Sequence, residues 1–295
     1  MSSAEANRMN LPSEPVPLVS YKTVVEDILA ARAAHKPFSL IRLGDGESAI
    51  LGYPQFGHPA RYRNWMTNFF GVHAGDDAMY APLRRDLEQA IRGADIIGTG
   101  HSRLTDAAEG DKVLQAMGGI SLRTAEQNQA QNTAERLFLN YHLAKLGALK
   151  GVLTSANIHI HLEQSGILAD LIGGSQSVTL VGCRDVVASL GARFPHVRFQ
   201  LLAVPAEYKF EKGASREQWL AQKPHYPDVY EALRLIIRNG GFGDLVLVGA
   251  GPCGKVYCDD VRAQGGFALD IGSVMDMWAG VMTRSYMQTT KVATF

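Results

Sequence analysis

Two carboxylates near the amino end carry the first chemistry this sequence offers. Asp45 and Glu47 stand two apart in the run Arg42-Leu-Gly-Asp-Gly-Glu47. On an extended backbone such residues point the same way, so the pair is spaced to share one hard divalent cation, Mn²⁺ or Mg²⁺. An ion of that kind keeps few protein carboxylates and draws its remaining ligands from water and phosphate oxygens, which fits a diphosphate substrate. Gly44 lets a ligand approach the backbone, and Arg42 offers charge-assisted bonds to phosphate. The plain alternative is a solvated turn after a strand, because Asp and Gly favour turns for local reasons.

A second cluster, Gly249-Ala-Gly-Pro-Cys-Gly-Lys255, follows an apolar run and precedes a helical pattern. Gly249, Gly251 and Gly254 spell GxGxxG in strand-turn-helix context, where backbone N–H groups and a helix N-terminus hold a pyrophosphate, with Lys255 as an added cation. Asp270 closes the next strand about twenty residues on, where a dinucleotide site places its ribose-binding acid. An NAD(P)-dependent oxidoreductase is therefore one reading of this cluster, and glycines that only permit tight packing are another. The same stretch reads GxxxxGK, but Val256 stands where a phosphate loop needs Ser or Thr for its metal.

Asp185, Glu207 and His101 follow apolar runs at positions from which a general base reaches substrate, though residues of these types after a strand are more often caps or turn residues. Cys183 is a nucleophile beside Arg184 or a structural thiol. His159 and His161 read as ordinary helix histidines, and Trp65, Phe69 and Phe70 as core. Trp278, near the expected active edge, offers a face on which a base or sugar stacks.

The elements that must position these residues form an α/β pattern. Continuously apolar strands are expected at 38–43, 95–99, 151–155, 177–181, 197–202, 244–248 and 266–270. Helices fall between them, near 24–33, 77–92, 109–117, 126–147, 157–172, 184–191, 227–239 and 254–264. Strands of that kind separated by helices imply a Rossmann-like, mostly parallel sheet covered on both faces, with ligands at the carboxyl ends of the strands. Residues 1–20 read as a flexible tail, 21–295 as a single domain, and 208–227 as a lid, an acceptor loop or a passive surface excursion.

The 295 residues are 46% hydrophobic and 20% charged, with Lys+Arg and Asp+Glu both at 29. No global field favours nucleic acid or anionic lipid, and no run of about 18 apolar residues suggests a transmembrane segment. The amino end lacks a leader pattern, so a cytoplasmic protein is expected, with peripheral association at the inner membrane through a biosynthetic assembly. Three cysteines without CxxC spacing suggest free thiols. Self-association is compatible with this composition.

Taken together, Ile41 to Glu47 and Val246 to Gly280 resemble the bacterial glycosyltransferases of the GT-D fold, which carry an R-x-GDGE-type segment after an early strand and an A-x-DIG segment after a late glycine turn. The resemblance implies a Rossmann-like transferase that uses a nucleotide-activated sugar, UDP-linked by expectation. It also implies a glycan or glycoconjugate acceptor in surface polysaccharide biosynthesis, and an Asp-x-Glu pair that binds a divalent metal. On this chain that pair is Asp45 and Glu47. The alternatives are the oxidoreductase above and a non-catalytic nucleotide-binding module.

Overall fold

A computed structural model describes residues 18–52, 66, 69–70, 78–100, 139, 143, 146, 151–207, 224–284, 287 and 289–294. Seven strands form one parallel sheet: β1 (Phe38–Arg42), β2 (Ile96–Thr99), β3 (Val152–Ser155), β4 (Ser177–Gly182), β5 (Arg198–Ala203), β6 (Leu245–Gly249) and β7 (Phe267–Asp270). Their order is β3-β2-β1-β7-β6-β4-β5. Every strand expected from the sequence is present.

The apolar runs follow from burial on both faces. In β6, Leu245 and Leu247 face one core while Val246 and Val248 face the other. A strand covered on both sides cannot alternate polar and apolar residues. The first face packs α1 (Tyr21–Ala33), α4 (Ile158–Gln164), α5 (Ile167–Gly173), α6 (Val187–Arg193) and α9 (Val274–Trp278). The second packs α2 (Asp45–Gly52), α3 (Ala81–Gly93), α7 (Tyr230–Arg238) and α8 (Cys253–Ala263). In α1 the buried side chains Val24, Ile28 and Ala31 form one helical stripe, and the Ser20 hydroxyl caps its start by accepting from the Thr23 N–H.

On the second face a buried ionic network joins three helices. Arg234 of α7 donates to Asp260 of α8 at 2.7 Å and also pairs with Asp86 of α3, which accepts from the Tyr230 hydroxyl at 2.8 Å. The network fixes α8, whose first turn faces the site.

Three expectations change. The single helix expected over 157–172 is two, broken where Gly166 takes φ +80. Asp45–Gly52 is a helix rather than an extended segment or a turn. The far end of the expected 208–227 loop is core: His225 and Tyr226 are buried in a kinked segment over His225–Val229, where Tyr226 is extended (φ -110, ψ 134), and 208–223 lie outside the described residues. The helices expected at 109–117 and 126–147 also fall outside them, apart from helical Leu139 and Leu143 and from Leu146 in a turn. Of the expected tail, 1–17 lie outside, whereas Val19 pairs with β3, its N–H donating to Leu153 O at 2.8 Å.

Candidate active site at the carboxyl edge of the sheet

A cavity of about 390 Å³ opens at the carboxyl ends of β1, β4, β5, β6 and β7, within the range of small-molecule sites. It gathers Arg42, Glu47, Glu207, Lys255 and Asp270, residues that the sequence places in four separate segments.

At its floor lies a four-charge cluster. Lys255 Nζ is 2.8 Å from Glu47 Oε1 and 3.0 Å from Asp270 Oδ2, and donates to Gly251 O at 3.0 Å. Asp270 also receives Arg42, whose Nη2 lies 3.1 Å from Oδ1 and whose backbone N–H donates to Oδ2 at 3.2 Å. Arg42 Nη1 reaches Ala156 O at 3.2 Å and His159 Nδ1 at 2.9 Å, and its Nε donates to Asp270 O. Burial works against the charge on Lys255, but Asp270 and Glu47 more than offset it and hold its pKa above the ordinary value. Burial likewise opposes the Asp270 carboxylate, and Arg42 and Lys255 overcome it, so its pKa is lowered. Asp270 is thus turned inward on two cations. The ribose-binding role that a dinucleotide site would give it is taken away by those pairs.

Glu47 is held by its helix as well as by Lys255. Its Oε2 accepts from the Gly44 N–H at 2.7 Å, the returning half of a capping box at the start of α2. The extended backbone behind the spacing argument for Asp45 and Glu47 is absent, since both stand in α2, and the Asp45 side chain lies outside the described residues. Oε1 faces the Lys255 ammonium and Oε2 the Gly44 N–H, so a divalent ion there would meet a like charge; among the described residues, which leave out the Asp45 side chain, no three His, Cys, Asp or Glu side chains converge as a metal site. In this arrangement Glu47 does not fit as a ligand for a divalent ion.

The glycines of the late turn are each explained by their surroundings. A Cβ on Gly249 would lie 2.9 Å from Gly272 O, and one on Gly254 would lie 2.9 Å from Val248 Cγ1. Gly251 takes φ +55, and a Cβ there would lie 3.1 Å from Glu207 Oε1. Tight packing and a left-handed turn account for GxGxxG without a bound dinucleotide. Gly46 has a similar reason, since a Cβ there would meet the Phe69 ring at 2.7 Å.

Several wall residues escaped the sequence reading. His159, taken as an ordinary helix residue, lines the cavity; burial first and then Arg42 lower its pKa well below the usual range, so it is neutral. Phe69 forms a wall between the Gly46 and Gly251 segments. Arg184, which donates Nε to Asp276 at 2.8 Å, lines it with Asp276 and Arg284. No short motif marks these positions: they arrive from the first turn of a helix and from chain beyond the strands.

Other candidates part company with the site. Asp185 is exposed and accepts from the Val187 N–H at 3.1 Å, the turn role offered as its alternative. Cys183 lines the cavity, but burial pushes its thiol up to about 11, so it is no thiolate at neutral pH. Trp278 is buried in the core of the first face. His161 stacks on Tyr21, while His101 and Trp65 lie outside the described residues. Asp45 begins α2.

Among the described residues no helix is long and apolar enough to cross a membrane. The sequence pattern of the GT-D-like family, described as a GT-D fold-like domain, matches residues 19–189, more than half of the chain. The match takes in Asp45 and Glu47 and stops before Glu207 and the late glycine turn. No curated protein matches. Among solved structures, "The highly conserved domain of unknown function 1792 has a distinct glycosyltransferase fold" is 16% identical, with 94% of this chain and 87% of that one covered and a TM-score of 0.45. "A New Glycosyltransferase (DUF1792) from Streptococcus sanguinis" is also 16% identical, with 92% and 84% covered and a TM-score of 0.47. Likeness at that level says nothing of activity.

Proposed function

Because this chain belongs to the GT-D-like family, we propose that it is a glycosyltransferase. In this reading it moves a hexosyl group from a nucleotide-sugar donor, UDP-linked by preference, to a hydroxyl of a glycan or glycoconjugate acceptor in surface polysaccharide assembly. The observation that supports this best is the meeting of the early and late motifs in one cavity, with Glu47 and Lys255 in contact at 2.8 Å. Two segments whose polar side chains converge on one ligand-sized cavity are placed to act on one ligand.

As the bond from the anomeric carbon to the diphosphate breaks, negative charge gathers on the leaving group and the sugar passes through an oxocarbenium-like state. Charge-assisted bonds to that diphosphate need cations that face the cavity. Arg42 and Lys255, expected for this role, are engaged within the floor cluster. Arg184, which is paired through Nε with Asp276, and Arg284 are the described lining arginines outside that cluster, and the reading gives their remaining N–H groups the diphosphate. Neutral His159 adds no charge of its own. The acceptor hydroxyl must lose a proton as it attacks, and Glu207, whose carboxylate lies beside Gly251 in the cavity wall, is placed to take it. No step runs through a divalent ion, because Glu47 already holds the Lys255 ammonium.

A screen of UDP-, GDP- and dTDP-sugars with glycan acceptors, read by nucleoside diphosphate release, tests the reading. Release with one donor class supports it. Nucleotide binding with no release from any donor and acceptor would make the protein a non-catalytic binding module, and quenching of nicotinamide fluorescence on titration would return the oxidoreductase.

A further inference from the structure

The ammonium of Lys255 is surrounded as a bound cation would be. Glu47 Oε1 at 2.8 Å, Asp270 Oδ2 at 3.0 Å and Gly251 O at 3.0 Å enclose it, and its side chain is 6% exposed. An ammonium has three N–H bonds, and three oxygens receive them, so none is left for a phosphate. Charge is balanced within the cluster as well: the carboxylates of Glu47 and Asp270 face Lys255 and Arg42. The Lys255 stem is anchored one helical turn from the carbonyl of Gly251, so the glycine turn itself aims the ammonium at Glu47.

A divalent ion at Glu47 would have to share Oε1 with this ammonium in a buried space, where like charges repel strongly. We propose that Lys255 is a tethered counter-cation for Glu47 and Asp270, and that a divalent ion binds Glu47 only in exchange for the Lys255 ammonium. The exchange is built into the fold by residues from two motifs, and it does not depend on which sugar is transferred or on whether transfer occurs. When the ammonium leaves, Arg42 still faces Asp270, so the vacated position keeps one uncompensated negative charge and the Glu47 and Asp270 oxygens to receive a cation.

Mn²⁺ binding to the full chain without nucleotide, followed by loss of the free-ion electron paramagnetic resonance signal, reads the exchange directly. Lys255→Met should bind Mn²⁺ about tenfold more tightly than the wild type, or better. Lys255→Arg, which keeps the charge, should stay weak, and Glu47→Gln added to Lys255→Met should remove the gain. Equal or weaker Mn²⁺ binding by Lys255→Met overturns the proposal. A second measurement needs no variant. In the wild-type protein Lys255 should resist acylation by an amine reagent and become reactive as Mn²⁺ is bound, as located by mass spectrometry. A wild-type protein that binds Mn²⁺ with Lys255 still protected also overturns it.

Discussion

Lys255 Nζ lies 2.8 Å from Glu47 Oε1, which ties the first turn of α8 to the first turn of α2 beside the end of β7. The two side chains are 6% and 7% exposed, so solvent does little to screen them. Removing one partner of such a pair leaves a buried charge with weakened compensation, at a cost of about 3–5 kcal/mol. Asp270 remains beside Lys255 when Glu47 is neutralised, so Glu47→Gln should cost about 3 kcal/mol, the lower end of that range. Urea unfolding with an unchanged denaturant slope checks this. The double variant Glu47→Gln/Lys255→Met should lose less than the sum of its singles, by roughly 1–3 kcal/mol, because the pair is coupled. Additive losses would show that the contact carries no shared energy.

Glu207 and Asp185 were equivalent in sequence, each an acid following a strand, and the structure separates them. Glu207 faces the cavity, whereas Asp185 closes an exposed turn at Val187. Glu207→Gln should lower kcat for nucleoside diphosphate release by about 10²–10⁴ with little change in KM for the donor, as loss of a general base does. Asp185→Asn keeps an acceptor oxygen for the Val187 N–H and should leave kcat within about a factor of two, since about 1 kcal/mol is all that such a local bond contributes. Equal effects from the two substitutions would remove Glu207 from its role.

The proposed diphosphate contacts make a separate prediction. Arg184→Gln and Arg284→Gln should each weaken UDP binding by roughly tenfold, the loss of one charge-assisted contact, as measured by titration calorimetry. Loss of Arg184 should also release Asp276, which holds both Arg184 and the Thr283 hydroxyl. A fall in melting temperature is therefore expected for Arg184→Gln, and a smaller one for exposed Arg284→Gln, which loses its bond to the Thr283 carbonyl. Unchanged UDP affinity in both variants would send the diphosphate to another wall.

The glycine turn shows why a motif read in one dimension mistakes its cause. Gly249→Ala forces a methyl to within 2.9 Å of the Gly272 carbonyl oxygen, a backbone atom that cannot swing away. Gly251→Ala must hold φ +55, which costs about 1–2 kcal/mol, and moves toward the Glu207 carboxylate. Both should lower stability in thermal melts without any ligand present, Gly249→Ala more than Gly251→Ala. If stability is untouched and only nucleotide binding falls, the turn is a ligand cradle after all.

The sheet was legible because central runs such as Leu245-Val-Leu-Val248 have no polar face to alternate with, as strands covered on both sides read, whereas β5 at the edge exposes Arg198, Gln200 and Ala203. The convergence of Arg42, Glu47, Lys255 and Asp270 followed from the rule that strand carboxyl ends share an edge. Their partnership did not follow. Whether a lysine meets a phosphate or a neighbouring carboxylate is decided by side-chain reach between β7, α2 and α8, and no spacing within one segment encodes it. Local helix chemistry was hidden as well: Gly44 and Glu47 form half of a capping box, but two glycines in Gly44-Asp-Gly46 argued for a turn. His159 could be found only through Arg42, a strand residue that reaches its ring across the sheet edge.

Acid should weaken the protein from near neutrality downward, and His225 gives the reason. It is buried beside Phe70, bonded through Nε2 to the Tyr257 hydroxyl at 2.9 Å, and burial lowers its pKa to about 3. In the unfolded chain the same ring takes a proton near pH 6.5. Between those values the unfolded state binds the extra proton, so stability falls as pH drops, by about 1.4 kcal/mol per pH unit for this residue. From pH 6.5 to 5 the loss from His225 alone is about 2 kcal/mol, and His159, lowered first by burial and then by Arg42, adds in the same direction. Asp270 joins only in stronger acid, since its lowered pKa keeps its contribution intact until the pH falls through the ordinary carboxylate range. His225→Gln retains a side chain that can bond to Tyr257 but does not titrate. It should be less stable than the wild type at pH 8 yet show a distinctly shallower decline between pH 6.5 and 5 in denaturant midpoints. Parallel declines for the two proteins would mean that His225 is protonated in the folded state and that the burial described for it is broken in solution.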